Sequence, residues 1–122
     1  MLKKIHEVTD VKLATLESFP PKLLITASGT VPTGGWSEKG ELIEYIYITP
    51  PVDGYYEFDF VGESPSPDVI VTQGLKPIVA TFVLNSIPED LKGIKVYASC
   101  SSKKEAYNDS PTLALEIIRV GN

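Results

Sequence analysis

The chain has 122 residues, 43% of them apolar and 22% charged, with a net charge of -5. That length and mixture suit one domain, residues 1–122, with a core large enough to need neither disulfides nor a structural metal. The acidic balance and dispersed lysines argue against a nucleic-acid partner, because phosphate backbones are held by accumulated Lys and Arg, and no run approaches the ~20 apolar residues of a membrane span.

The N-terminal stretch MLKKIHEVTDVKL alternates polar and apolar residues and lacks the continuous apolar run of a signal peptide. A cytoplasmic location is therefore expected, or a secreted one if an export signal has been removed. The single Cys100 cannot close an internal disulfide, which fits a reducing compartment. Two strands come first, Val8–Leu16 and Lys22–Thr30, both rich in β-branched and apolar residues. Residues 31–40 then cross to the next strand and carry the only tryptophan. Pro32 stiffens this crossing and Gly34 and Gly35 permit positive φ, so Trp36 either folds back over the end of the core or stands out as a binding tip.

The segment ELIEYIYITPPVDGYYEFDFVG reads as a hairpin of strands Glu41–Thr49 and Tyr55–Val61. Pro50 and Pro51 cannot donate to a ladder and Asp53-Gly54 is a turn pair. Pairing Thr49 with Tyr55 sets Tyr47 opposite Glu57, Tyr45 opposite Asp59 and Ile43 opposite Val61. One face then carries Leu42, Ile46 and Ile48 with Tyr56, Phe58 and Phe60, and is the expected core face. A slip by one residue would mix the two sets, so this register or an even-numbered relative is required. Glu44 falls on the apolar side, where a strand end, a bulge or a polar partner must relieve it. The outer face shows Tyr45, Tyr47 and Tyr55 beside Glu57 and Asp59, aromatic rings and carboxylates that could stack on sugars, grip a protein partner or simply pair across the strands.

After a polar connection at residues 63–67 the expected strands are Asp68–Thr72, Ile78–Leu84, Ile94–Ser99 and Leu113–Val120, with a short turn at Ile87–Leu91 before Gly93. Lys103-Lys104 reads as a solvated turn. Cys100 shares strand parity with Ile94, Val96 and Ala98, which places it inside as a small hydrophobe. About seven or eight short strands separated by turn signals imply an all-β fold, an antiparallel two-sheet sandwich of immunoglobulin-like type, with a small barrel as the alternative.

Groups able to do chemistry are sparse. His6 is the only histidine and has no Cys or second His at ligand spacing, so neither a metal nor a catalytic site is expected. Ser99, Ser101 and Ser102 lack an evident base. Gly34-Gly35 lacks the residues of a phosphate-binding loop, and no cofactor is implied. Glu57 and Asp59 lie on one side of a strand and could serve as an acid pair, although a solvated strand face explains them as well.

Val31-Pro32-Thr33-Gly34-Gly35-Trp36 resembles the Asn-Pro-Thr-Thr-Gly-aromatic loop of chagasin-type inhibitors of papain-like cysteine proteases, which are small immunoglobulin-like sandwiches. Pro32, Thr33, Gly35 and the aromatic Trp36 agree, whereas Val31 replaces Asn, Gly34 replaces Thr, and the family's Arg-Pro-Trp loop has no counterpart. TVPTGGW, the Pro-Pro-x-Asp-Gly turn, Phe58-Asp59-Phe60 and Leu91-Lys92-Gly93-Ile94-Lys95-Val96 together are also similar to a set of small bacterial sandwich proteins without an assigned activity. The expectation is a non-enzymatic binding or interaction domain for a protein or carbohydrate, using Thr33, Gly34, Gly35 and Trp36 or the face of Tyr45, Tyr47, Tyr55, Glu57 and Asp59. The alternatives are a chagasin-like inhibitor and a hydrolase built on Glu57 and Asp59. A face with three tyrosines is also large enough for isologous contact, giving a homodimer.

Overall fold

The computed structural model describes residues 2–107, and the expected strand Leu113–Val120 lies outside the described residues. Eight strands are present among the described residues: β1 Leu2–Lys4, β2 Glu7–Leu16, β3 Lys22–Thr33, β4 Glu41–Glu44, β5 Tyr55–Glu63, β6 Gln73–Leu84, β7 Gly93–Tyr97 and β8 Ser102–Ala106. They form two sheets, and no helix occurs among the described residues. In the three-stranded sheet β3 lies between β2 and β6, both antiparallel to it. In the five-stranded sheet β5 is central. Asp59 pairs with Ile43 of β4 and with Tyr97 of β7, and Val61 pairs with Glu41 of β4 and with Lys4 of β1. One edge of β5 therefore holds β4, while β7 and β1 share the other edge end to end, with β8 beyond β7. The expectation of a purely antiparallel fold is corrected here, because β5 and β7 run parallel.

Period-two alternation builds the core. Leu23, Ile25, Ala27 and Val31 of β3 face inward at every second position, as do Phe58 and Phe60 of β5 and Ile94 and Val96 of β7. Each large apolar side chain taken out of water contributes roughly 1.5–3 kcal/mol. Val8 and Val11, three residues apart, both reach the core because the register of β2 shifts between Val8 and Asp10. The chain changes sheets just before this point: Ile5 N–H donates to Phe60 O at 3.0 Å and His6 N–H to Thr30 O at 2.9 Å. Gly29 lies directly under the crossing. A Cβ there would sit 2.3 Å from the Glu7 carbonyl oxygen and 2.4 Å from Ile5 Cδ1.

Several expectations are revised by tertiary pairing. β3 continues through Thr33, since Thr30 and Val31 pair with Pro77 and Lys76, so the crossing loop begins at Gly34 instead of Val31. β4 stops at Glu44, so the expected strand through Thr49 is too long. Its register is shifted by two from the one expected, with Leu42 opposite Phe60 and Glu44 opposite Phe58; this is the even-numbered slip that preserves the faces. Glu44 is relieved by its strand-end position and exposure. Ile46 and Ile48, assigned to the core, are 96% and 104% exposed, because the chain leaves the sheet before them. Residues 68–72 form a turn and an extended connection and no strand. Lys103-Lys104 lies in β8 instead of a turn; among the described residues β8 is the sheet edge, which exposed charges suit. Cys100 is exposed, not buried, since β7 ends at Tyr97 and the chain turns before reaching it.

Candidate functional site

The outer face of the five-stranded sheet follows from the same alternation that fills the core. With Phe58 and Phe60 pointing inward, Tyr55, Glu57 and Asp59 must point outward. Parallel pairing sets Lys95 beside Glu57 and Tyr97 beside Asp59. After β4 ends, the Tyr45 N–H still donates to Glu57 O at 3.0 Å, which carries the Tyr45 and Tyr47 side chains over the same face.

These groups form one network. Glu57 accepts from the Tyr47 hydroxyl at 3.1 Å through Oε1 and from the Tyr97 hydroxyl at 2.5 Å through Oε2, while its own N–H donates to the Tyr47 oxygen at 2.9 Å. Asp59 Oδ1 accepts from the Tyr45 hydroxyl at 2.9 Å and faces Lys4 Nζ at 3.6 Å. Tyr45 stacks on Tyr97 with centroids 5.8 Å apart. The ammonium groups of Lys95 and Lys104 lie over Tyr97 and Tyr55 at 4.8 and 4.9 Å from the ring centroids, within range of the ring quadrupole.

The phenols are held neutral. The hydrogen bond to Glu57, then burial, pushes Tyr97 up to about 12. Burial comes first for Tyr45 and Tyr47, reinforced by Asp59 and Glu57 respectively, and both also rise to about 12. For Tyr47 the main-chain N–H of Glu57 opposes the rise. At neutral pH these side chains therefore act as hydrogen-bond donors and ring surfaces, and both Glu57 oxygens already accept phenols.

Beyond Tyr45 the hairpin forms a groove of about 480 Å³ lined by Glu44, Tyr45, Ile46, Tyr47, Ile48, Pro50 and Tyr56. Tyr47 meets Tyr56 edge to face at 5.6 Å, and the Tyr56 hydroxyl donates to Asp90 at 2.9 Å. The turn is anchored by Gly54 at φ +78°, whose carbonyl accepts the Lys92 N–H at 2.7 Å. Exposed apolar side chains are thus carried on a tethered turn. Glu57 and Asp59 do not line this groove. A second concavity of about 530 Å³ near β3 and β6 carries no aromatic ring.

The Thr33–Trp36 segment is built differently. Trp36 is half-buried against the core, and a Cβ on Gly62 would lie 3.2 Å from its ring. Gly34 N–H donates to Thr72 O at 2.8 Å, Ser37 N–H to Glu63 O at 3.1 Å, and Gly40 N–H to Val79 O at 2.8 Å. A side chain on Gly35, at φ +88°, would strike Pro65 and Val71. The loop is stitched along its length to neighbouring segments.

Of the residues expected at a site, Tyr45, Tyr47, Glu57 and Asp59 meet in one network, Tyr55 joins the same face through Lys104, and Thr33, Gly34, Gly35 and Trp36 are separate from it. Tyr97, Lys4, Lys95 and Tyr56 were missed. Alternation of Lys95 and Tyr97 against Ile94 and Val96 marks them as outward-facing, but only the parallel pairing of β7 with β5 shows which face they join. Among the described residues no group of three or more His, Cys, Asp or Glu could hold a metal ion, and no helix is long and apolar enough to cross a membrane. No protein-family model, curated protein or solved structure matches this chain.

Proposed function

We propose that the protein is a non-enzymatic binding domain whose ligand-contacting surface is the tyrosine-lined β4–β5 hairpin, and that its ligand is a protein. The observation that carries this reading is the near-complete exposure of Ile46 and Ile48 on a turn fastened to Lys92 and bordered by Tyr45, Tyr47 and Tyr56. Large apolar side chains beside rigid aromatic rings are the composition that anchors protein interfaces. A carbohydrate is the weaker choice, since Tyr45 and Tyr97 stack on each other and both Glu57 oxygens are engaged. A second copy of the chain is one protein that this surface could meet.

The inhibitor reading draws little support from a Trp36 that packs against the core on a loop fixed at Gly34, Ser37 and Gly40. The acid-pair hydrolase reading is disfavoured because the two carboxylates serve as acceptors for neighbouring tyrosines on an outer sheet face, where no described cavity would exclude water. The immunoglobulin-like assignment remains part of the proposal, supported by two packed sheets of mostly antiparallel strands. The test sets the parent protein and an Ile46→Asp/Ile48→Asp variant, both immobilised, against soluble protein extract and a glycan array. A protein retained by the parent and lost by the variant supports the reading. Equal retention by both moves the site elsewhere, and glycan binding without protein binding replaces the ligand class.

A further inference from the structure

The only histidine and the only cysteine of the chain, 94 residues apart, are brought side by side at the end of the sandwich opposite the hairpin turn. Cys100 Sγ lies 3.6 Å from His6 Nδ1. Two main-chain hydrogen bonds fix this approach independently of the side chains, from Ser99 N–H to Ile5 O and from Cys100 N–H to His6 O, both at 2.9 Å. His6 itself is pinned at the sheet crossing by its N–H bond to Thr30. The thiol is exposed and the ring half-exposed, and the residues flanking the sulfur, Ser99 and Ser101, are small. With no second cysteine in the chain, any disulfide formed here must be intermolecular.

From this geometry we propose that Cys100 is a modification site that captures low-molecular-weight disulfides such as glutathione disulfide, with His6 as its proton acceptor. In the Nε2-protonated tautomer Nδ1 accepts the thiol proton. Sulfur then attacks one sulfur of the disulfide. A bond forms between Cys100 Sγ and that sulfur, the disulfide's own S–S bond breaks, and the second sulfur departs as a thiolate that takes up the proton. Cys100 is oxidised as the disulfide is reduced, and no further oxidant is needed.

An ordinary cysteine is only about 3% thiolate at pH 7. Up to roughly thirtyfold in rate is therefore open to a paired base, reduced to several-fold by the weaker nucleophilicity of a more stable thiolate. The experiment incubates parent, His6→Gln, His6→Ala and Cys100→Ser proteins with glutathione disulfide at pH 7 and follows the adduct by intact mass, folded and in urea. The parent should take up one glutathione, Cys100→Ser none, and both His6 variants should react about threefold or more slowly when folded yet at the parent's rate when unfolded. Equal rates in the folded state would overturn the role of His6, with the unfolded samples correcting for any loss of structure in a variant. A disulfide-linked dimer as the sole product would overturn the choice of a small disulfide as co-reactant.

Discussion

Replacing Glu57 by Gln tests whether one carboxylate organises the tyrosine face. In the parent, Glu57 accepts from Tyr47 and Tyr97, and its hydrogen bond is the foremost reason that Tyr97 is pushed up to about 12. Burial comes first for Tyr47 and Tyr45, and for Tyr45 the charge of Glu57 is the last of the causes. The variant should therefore lower the titration midpoint of Tyr97 furthest toward the ordinary phenol value of about 10, move Tyr47 less and leave Tyr45 nearly unchanged. Ring-proton NMR through an alkaline titration resolves the three. Because each folded phenol titrates above its unfolded value, the folded state binds more protons between about pH 10 and 12. The stabilisation is complete below about pH 10 and is lost as pH rises toward 12, so the parent's stability should fall across that window and the variant's less steeply. Hydrogen bonds to a charged acceptor contribute about 1.5–3 kcal/mol. Partial exposure screens these, and glutamine retains one acceptor oxygen, so a net loss of about 1–2 kcal/mol at neutral pH is expected. For a domain of this size that lowers Tm by roughly 5 °C. An unchanged Tyr97 midpoint in a folded variant would refute the reasoning.

Trp36→Ala should destabilise the domain by about 2 kcal/mol, roughly half the cost of emptying a fully buried aromatic site, as measured by urea denaturation; a variant with the parent's midpoint would place Trp36 outside the packing. Ile46→Ser with Ile48→Ser should change stability by no more than about 0.5 kcal/mol, whereas Phe58→Ala should cost about 3–5 kcal/mol. The same denaturation curves decide this contrast, and a comparable loss in both proteins would mean that the hairpin isoleucines are covered in solution.

Period-two patterning made much of the sheet architecture legible. The alternation of Leu23, Ile25 and Ala27 marks β3 and its buried face without reference to any partner. Glu57 and Asp59 separate from Phe58 and Phe60 in the same way, and Tyr45 and Tyr47 from Ile46 and Ile48, so four residues of the network are legible in the alternation alone. The pleat is local, and a slip by two residues preserves both faces, which is why the site survived the difference between the expected and observed register.

Where a strand stops, which strands meet and what remains covered depend on partners distant in sequence. Ile46 and Ile48 have the alternation of core residues, yet β4 ends before them and no strand among the described residues covers them, so they are exposed. The apolar run at residues 68–72 finds no place in a ladder and connects instead. Cys100 continues the parity of Ile94 and Val96, but β7 ends three residues earlier and the turn delivers the thiol to solvent beside His6. Tyr97 reaches Glu57, 40 residues away in sequence, only through the parallel pairing of β7 with β5. The pleat set by neighbouring residues thus determined the faces, whereas the membership of each face was decided by non-local hydrogen bonds and by how far the opposite sheet extends to exclude water.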